Sequence, residues 1–169
     1  MKTLYLVRHA KSSWRNPEWD DLERPLLEKG IKRCRKIMAL LPDKIAAPDL
    51  ILSSPAVRAL QTARIIAGTM HYDLSRIRVD RTLYYGDADR IRNLFFDLPT
   101  EARSVMLIGH NPSMTNLANM FLNDHLEWLP VSAILALRFK TSDWLKMLNT
   151  PATVVFYLDS SLVKKNGSE

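Results

Sequence analysis

Residues 3–7 (TLYLV), 49–53 (DLILS) and 104–109 (SVMLIG) are short runs that are apolar at nearly every position, not at alternate ones. A strand with one wet face alternates. Continuous apolar runs belong to strands covered on both faces, as parallel sheets require. Two more strand candidates lie at 131–139 (VSAILALRF) and 152–158 (ATVVFYL), with a short one at 77–79 (IRV). Between these runs the apolar period lengthens. In 28–41, Ile31, Cys34, Ile37, Met38 and Leu41 fall at helical spacing, with Lys29, Lys32, Arg33 and Lys36 on the other side. Segment 54–68 starts with Ser54 as a candidate N-cap and Pro55 at the first helical position, with Gly68 at its end. Segment 87–98 opens with aspartates, which a helix N-terminus favours; 111–122 has Pro112 near its start, and 142–148 has Ser142 as a candidate cap. Strand alternating with helix predicts an α/β fold with a largely parallel sheet.

A chain of 169 residues suits one domain with a substantial core. No repeat divides it, nor any linker rich in Pro, Gly or Ser. One domain is therefore expected over 1–161, followed by a frayed C-terminal tail at 162–169. The single cysteine, Cys34, excludes an internal disulfide and a cysteine-based zinc site. No stretch approaches the ~20 apolar residues needed to cross a bilayer. Arg8, His9 and Lys11 interrupt the first apolar run too early for a signal peptide. The expectation is a cytoplasmic protein without membrane association. Its formal charge of +6 favours anionic partners.

In open α/β sheets ligands bind beyond the carboxyl ends of the strands. Three strand ends here carry unusual residues. The first delivers Arg8 and His9, the second Arg58 on the first turn of the following helix, and the third His110 in a Gly-His-Asn-Pro turn. Each has an ordinary reading: a histidine as a structural hydrogen-bonder, an arginine as a solvated surface group. Arg58 opposes the dipole of its own helix, yet a helix N-terminus faced by an arginine makes a seat for an anion. Taken together, the four residues fit phosphoryl transfer through a histidine nucleophile. A neutral imidazole can attack phosphorus and carry the phosphoryl group covalently. Arg8 and Arg58 would hold its oxygens with forked donors, and His110 would donate to another oxygen or shuttle a proton. Arginines would perform the neutralisation a metal otherwise supplies, so neither cofactor nor metal is expected. Zinc is the competing reading, but neither histidine has a second ligand at helical or short-loop spacing.

The blocks "LVRHAKS", "LSSPAVRALQTA" and "IGHNPSM" resemble the three signature blocks of the histidine phosphatase superfamily, whose members are phosphoglycerate-mutase-like. The short length, "ERPLLEKG" at 23–30 and the late "VSAILALRF" make SixA-type phosphohistidine phosphatases the best likeness. The resemblance runs from residue 4 to about 139. It implies a three-layer α/β/α fold with a mostly parallel central sheet flanked by helices on both faces. It makes His9 the phosphorylated nucleophile, Arg8 and Arg58 phosphate clamps, and His110 the second pocket histidine.

Two departures bear on chemistry. Leu27 stands where many relatives place a capping Ser or Thr. Larger relatives also supply a glutamate as general acid before their third block, whereas 80–90 (DRTLYYGDADR) contains none. Asp87 and Asp89 are the candidate acids, Asp87 the better of them, though both equally suit the first turn of a helix. An alkoxide leaving group needs a positioned proton donor; the imidazole of phosphohistidine departs readily when its other nitrogen is protonated. The expected substrate is therefore phosphohistidine on a protein, reached without cofactor. A small phosphate ester, or a phosphate- or phosphoprotein-binding module with weak turnover, are the alternatives. Ser12 is a candidate for the phosphate rim. Trp14 and Trp19 either line the entrance or anchor their loop to the core, and anchoring is the expectation. Arg24 reads as a surface partner of Glu23. The run Lys29, Lys32, Arg33, Arg35, Lys36 reads as a solvated face, and no nucleic-acid partner is expected because interleaved aromatics are missing. His71 and His125 read as surface residues and Cys34 as inert.

Overall fold

The structure, a computed structural model, describes residues 1–166. Six strands form one sheet: β1 (Lys2–Arg8), β2 (Leu50–Ser53), β3 (Arg78–Val79), β4 (Ser104–Gly109), β5 (Ile134–Phe139) and β6 (Ala152–Leu158). Their order is β3-β2-β4-β1-β5-β6. The pairs β1–β4, β2–β4 and β2–β3 are parallel, while β5 runs antiparallel to both β1 and β6. Seven α-helices lie among the described residues: α1 (Glu28–Met38), α2 (Val57–Thr69), α3 (Thr82–Tyr85), α4 (Ala88–Asn93), α5 (Ser113–Asn119), α6 (Trp144–Met147) and α7 (Ser160–Asn166).

Side chains alternate across the strands to fill two separate cores. Leu4, Leu6, Val105 and Leu107 pack with Leu83, Ile91, Met114, Leu117 and Trp144 of α3–α6. Tyr5, Val7, Met106 and Ile108 face the other way, toward Cys34 and Ile37 of α1 and Ala59, Ala63 and Ile66 of α2. Both faces of β1 and β4 are thus covered, which is why these strands read as unbroken apolar runs. The three-layer α/β/α architecture is as expected.

Several boundaries move for physical reasons. Helix α2 begins at Val57 with Ala56 at the cap, because the Ser54 hydroxyl is engaged elsewhere. Strand β5 begins at Ile134, three residues late, because Ser132 adopts a left-handed conformation (φ 63°). Its N–H donates to both the Arg8 and His9 carbonyls at 3.1 Å, tying this turn to the end of β1. Helix α6 is capped by Asp143, which accepts from the Leu145 N–H, and not by Ser142. Of the expected frayed tail, residues 162–166 are helical; Leu162 and Val163 pack on the second core. The remainder, 167–169, lies outside the described residues. Among the described residues no helix is long and apolar enough to cross a membrane.

Candidate active site

Register decides what meets at the carboxyl edge of the sheet. Arg8 pairs with Gly109 across β1–β4, and Ser53 with Ile108 across β2–β4. The ladder then continues one residue further: the His9 N–H donates to the Gly109 carbonyl at 3.1 Å and the Ser54 N–H to Ile108 at 3.0 Å. His9, Ser54 and His110 therefore leave three adjacent strands side by side. Arg58 enters from the first turn of α2. A depression of about 300 Å³ is lined by Arg8, His9, Ser12, Arg58, His110 and, at its mouth, Trp14. Arg24, Lys11, Asn111 and Val131 complete its wall.

His9 is buried, and its Nδ1 lies 2.6 Å from the Ala10 carbonyl oxygen. A carbonyl only accepts, so Nδ1 carries the proton and Nε2 keeps its lone pair. The next amide is fixed as well: the Ala10 N–H donates to Thr62 Oγ1 at 2.9 Å, and that hydroxyl donates to the Arg58 carbonyl. Burial lowers the His9 pKa to about 4, with the Arg58 and Arg8 charges adding to it. His110, its ring 5.0 Å from that of His9, is lowered to about 3 by burial and by His9 and Arg58. Both imidazoles are neutral at neutral pH. His110 Nε2 sits 2.7 Å from the Ser54 hydroxyl, and Nδ1 is 3.4 Å from the Arg58 guanidinium. Arg58 can only donate, so Nδ1 is the acceptor of that contact, and Nε2 carries the proton and donates to the Ser54 hydroxyl.

The two arginines are anchored yet incompletely satisfied. Arg8 donates through Nη1 to the Leu129 carbonyl at 3.1 Å. Arg58, 4% exposed, donates through Nη2 to Asp21 Oδ2 at 2.9 Å and through Nη1 to the Asp21 carbonyl. The Nε of each is buried without a hydrogen-bond partner among the described residues. Such donors cost stability unless a ligand meets them.

Asp21 is the residue that sequence reasoning missed. Besides Arg58, it accepts from Arg24 through Oδ1 at 3.0 Å and from the Tyr84 hydroxyl at 2.6 Å. Burial pushes its carboxyl up, but hydrogen bonds from Tyr84, Arg58 and Arg24 outweigh that and hold it well below the usual carboxylate range. Tyr84 packs edge-on against His110 at 5.3 Å, and burial and Asp21 raise its pKa to about 12. Asp21 stands in the acidic run "DDLE", whose composition gives no sign of which member turns inward.

Arg24 also corrects the sequence reading. It is a buried partner of Asp21, not a surface partner of Glu23. Its Nη1 donates to the Ser12 hydroxyl at 2.8 Å and to the Ser13 carbonyl. Its guanidinium lies under the Trp14 ring at 3.5 Å. Trp14 is 76% exposed, so it lines the entrance and does not anchor the loop to the core. Trp19 is not among the lining residues. Asp87, the candidate acid, is exposed, lies outside the pocket lining, and spends its carboxylate capping α4 through the Arg90 N–H at 2.9 Å. His71 and His125 are exposed. Cys34 is 2% exposed, and burial pushes its thiol up to about 11. A cleft of about 410 Å³ at the amino edge of the sheet, lined by Asp49, Arg76, Arg78 and Glu101 among others, contains no histidine or cysteine.

Comparison with known proteins bears on the family and the fold. The structure assigned as the phosphohistidine phosphatase SixA from Agrobacterium tumefaciens is 29% identical and superposes with a TM-score of 0.76, covering 94% of this chain and 98% of that one. A SixA structure complexed with tungstate, 20% identical, shares the fold with a TM-score of 0.78 over 95% and 99% of the two chains. An uncharacterised chloroplastic protein of Arabidopsis thaliana is 28% identical over 149 residues, 83% of this chain and 68% of its own length. The family model of the histidine phosphatase superfamily (branch 1) matches residues 4–88, which include Arg8, His9 and Arg58. The chain belongs to the histidine phosphatase superfamily and resembles its SixA-type members.

Proposed function

We propose that this protein is a phosphatase that works through a phosphorylated His9, with phosphohistidine on a protein as its substrate. One observation carries the reading: two neutral histidines 5.0 Å apart share a pocket with Arg8 and Arg58, each of which keeps a buried, unpartnered Nε–H. A phosphoryl group in that pocket is met by the charge of both guanidinium groups.

The His9 Nε2 lone pair attacks the phosphorus of a phosphohistidine protonated on its other ring nitrogen, while the bond from phosphorus to that imidazole breaks, its electron pair returning to the leaving nitrogen so that neutral imidazole departs. Arg8 and Arg58 hold the equatorial oxygens, where charge spreads in the transition state. His110 keeps its proton on Nε2, donated to Ser54, and its Nδ1 accepts from Arg58 and so holds that guanidinium beside the phosphoryl group. Water then attacks the phosphorus of phospho-His9. The bond to Nε2 breaks, and neutral His9 and dihydrogen phosphate result. Throughout, the Ala10 carbonyl keeps the proton on Nδ1.

The substrate class follows from what the pocket does not contain. The first step moves a phosphoryl group from one imidazole, protonated on its other nitrogen, to another that carries its own proton on Nδ1, so it is close to thermoneutral and needs no proton donor from the pocket. An alkoxide would need one. The lining residues include no carboxylic acid. Asp21 is held ionised by three donors, and Asp87 caps a helix. Asp87 therefore has no part in the proposed reaction, whereas Ser12, poised by Arg24, sits at the phosphate rim.

Rates on a phosphohistidine-bearing protein, an aryl phosphate and a set of sugar phosphates test this reading. The phosphohistidine and the aryl phosphate, whose leaving groups need little acid help, are expected to turn over in the presence of chelator. Sugar phosphates are expected to be poor. A clear preference for sugar phosphates would sink the leaving-group argument.

A further inference from the structure

The mouth of the pocket opens onto a surface that the reaction does not use. The lining residues Lys11, Ser12 and Trp14 are shared with an open depression of about 660 Å³, bounded also by Arg15, Leu27, Glu28 and Lys29. Lys11 and Lys29 in turn border a third hollow that reaches Arg33 and Ser132. The three form one continuous tract from His9 across the start of α1. Gly30 makes the close approach possible: a Cβ there would collide with the Lys11 carbonyl.

The tract is cationic and uncompensated. Lys11, Arg15, Lys29 and Arg33 are exposed, and none forms an ion pair among the described residues. The one acidic side chain on its border, Glu28, is turned to Lys32 at 3.2 Å. Lys11, Arg33 and Arg15 crowd Lys29 enough to lower its pKa, Lys11 most strongly. Lys29 also sits in the first turn of α1, where a cation opposes the helix dipole. This arrangement costs stability unless negative charge arrives from outside. Beside it stands Trp14, exposed yet fixed by its stack on buried Arg24. Rigid tryptophans ringed by charge are the residues on which protein interfaces concentrate their binding energy. A small ligand wants an enclosed cleft that buries most of its surface; this broad open tract fits a protein.

We propose that Trp14, Arg15, Lys29 and Arg33 form a docking surface for an acidic segment of the phosphoprotein substrate, seated beside the phosphoryl group that enters the His9 pocket. The proposal rests on the phosphatase reading. It deepens that reading by assigning substrate selection to charges outside the catalytic pocket.

Two short fluorescent peptides test it. Both carry a non-hydrolysable phosphohistidine analogue, one flanked by Asp and Glu and the other by Asn and Gln. Wild type is expected to bind the acidic peptide about tenfold more tightly at low salt, and the advantage is expected to shrink as salt screens it. Lys29→Glu/Arg33→Glu is expected to abolish that preference while aryl phosphate turnover, which reads the pocket alone, stays within about twofold. Should charge reversal also disturb the pocket, Lys29→Ser/Arg33→Ser is expected to reproduce the lost preference with turnover intact. Equal binding of the two peptides by wild type overturns the proposal. So does a preference that survives both double variants, or tighter binding of a single-stranded oligonucleotide than of the acidic peptide. If wild type prefers the acidic peptide but hydrolyses no phosphate, the phosphatase reading fails and the docking surface stands. If wild type hydrolyses phosphohistidine without the preference, the docking surface alone fails.

Discussion

Strand β1 carries a cation at each end, Lys2 buried and Arg8 half-buried, and the two ends are treated differently. At the amino end Lys2 is 2% exposed. Its ammonium donates to the Thr100 and Ala102 carbonyls at 2.7 and 2.6 Å and lies 4.9 Å from the centre of the Trp144 ring. Burial lowers its pKa, with the nearby carboxylates of Asp143 and Asp49 opposing. At the carboxyl end the Arg8 side chain makes one hydrogen bond among the described residues, to the Leu129 carbonyl, and its Nε makes none. A cation held for structure finds its acceptors within the chain. In the proposed reaction the guanidinium at the other end meets the phosphoryl group. What separates the two ends is the satisfaction of their donors.

The contrast is sharpened most by removing the unsatisfied end. Arg8→Ala is expected to lower kcat on aryl phosphate by about 10²-fold or more, the loss typical of a donor aimed at transition-state charge. Melting temperature should change little, because the Arg8 side chain gives up a single hydrogen bond, to Leu129. A collapse of stability with little kinetic effect would make Arg8 structural and break the comparison. Lys2→Met should do the reverse. It strands the Thr100 carbonyl, while the Ala102 carbonyl keeps the Trp144 indole N–H at 3.0 Å, and is expected to cost about 1–3 kcal/mol in denaturant unfolding, with kcat unchanged.

The smallest effect is a titration. His9 and His110 titrate near 4 and 3 in the folded protein against an ordinary 6.5. The unfolded chain therefore takes up protons first as pH falls, so stability is full above about 6.5 and drains away as pH drops toward those folded values. NMR of the imidazole protons is expected to show both rings neutral at pH 6. A ring titrating at its ordinary value would remove the neutral nucleophile on which the mechanism depends.

Much of this was legible in the sequence because strands covered on both faces leave an unbroken apolar signature and end sharply. Leu4–Val7 and Val105–Ile108 announced a buried parallel pair, and the polar residues just beyond them, with Arg58 after β2, converge as expected. What was hidden depends on contacts between segments far apart in the chain. Asp21 and Arg24 look like loop charges until the short helical turn Asp21–Glu23 brings Asp21 against Arg58, 37 residues away. Ser54 reads as a cap because the sequence does not reveal that His110 will lie 2.7 Å from it. Trp14 reads as an anchor because nothing local shows that its ring stacks on a buried guanidinium. Nothing in the sequence marks Lys2, since its acceptors lie about a hundred residues on.

Site-resolved detection of the phosphoryl group tests the mechanism most directly. Wild-type protein mixed with a phosphohistidine substrate, quenched in alkali within a turnover and digested, is expected to yield phosphate on the peptide containing His9, attached at Nε2. His9→Ala, folded by the same spectroscopic criteria, should yield none and turn over nothing. A phosphoryl group on His110 or any other residue, or full activity in His9→Ala, would contradict the assignment of His9 as the nucleophile.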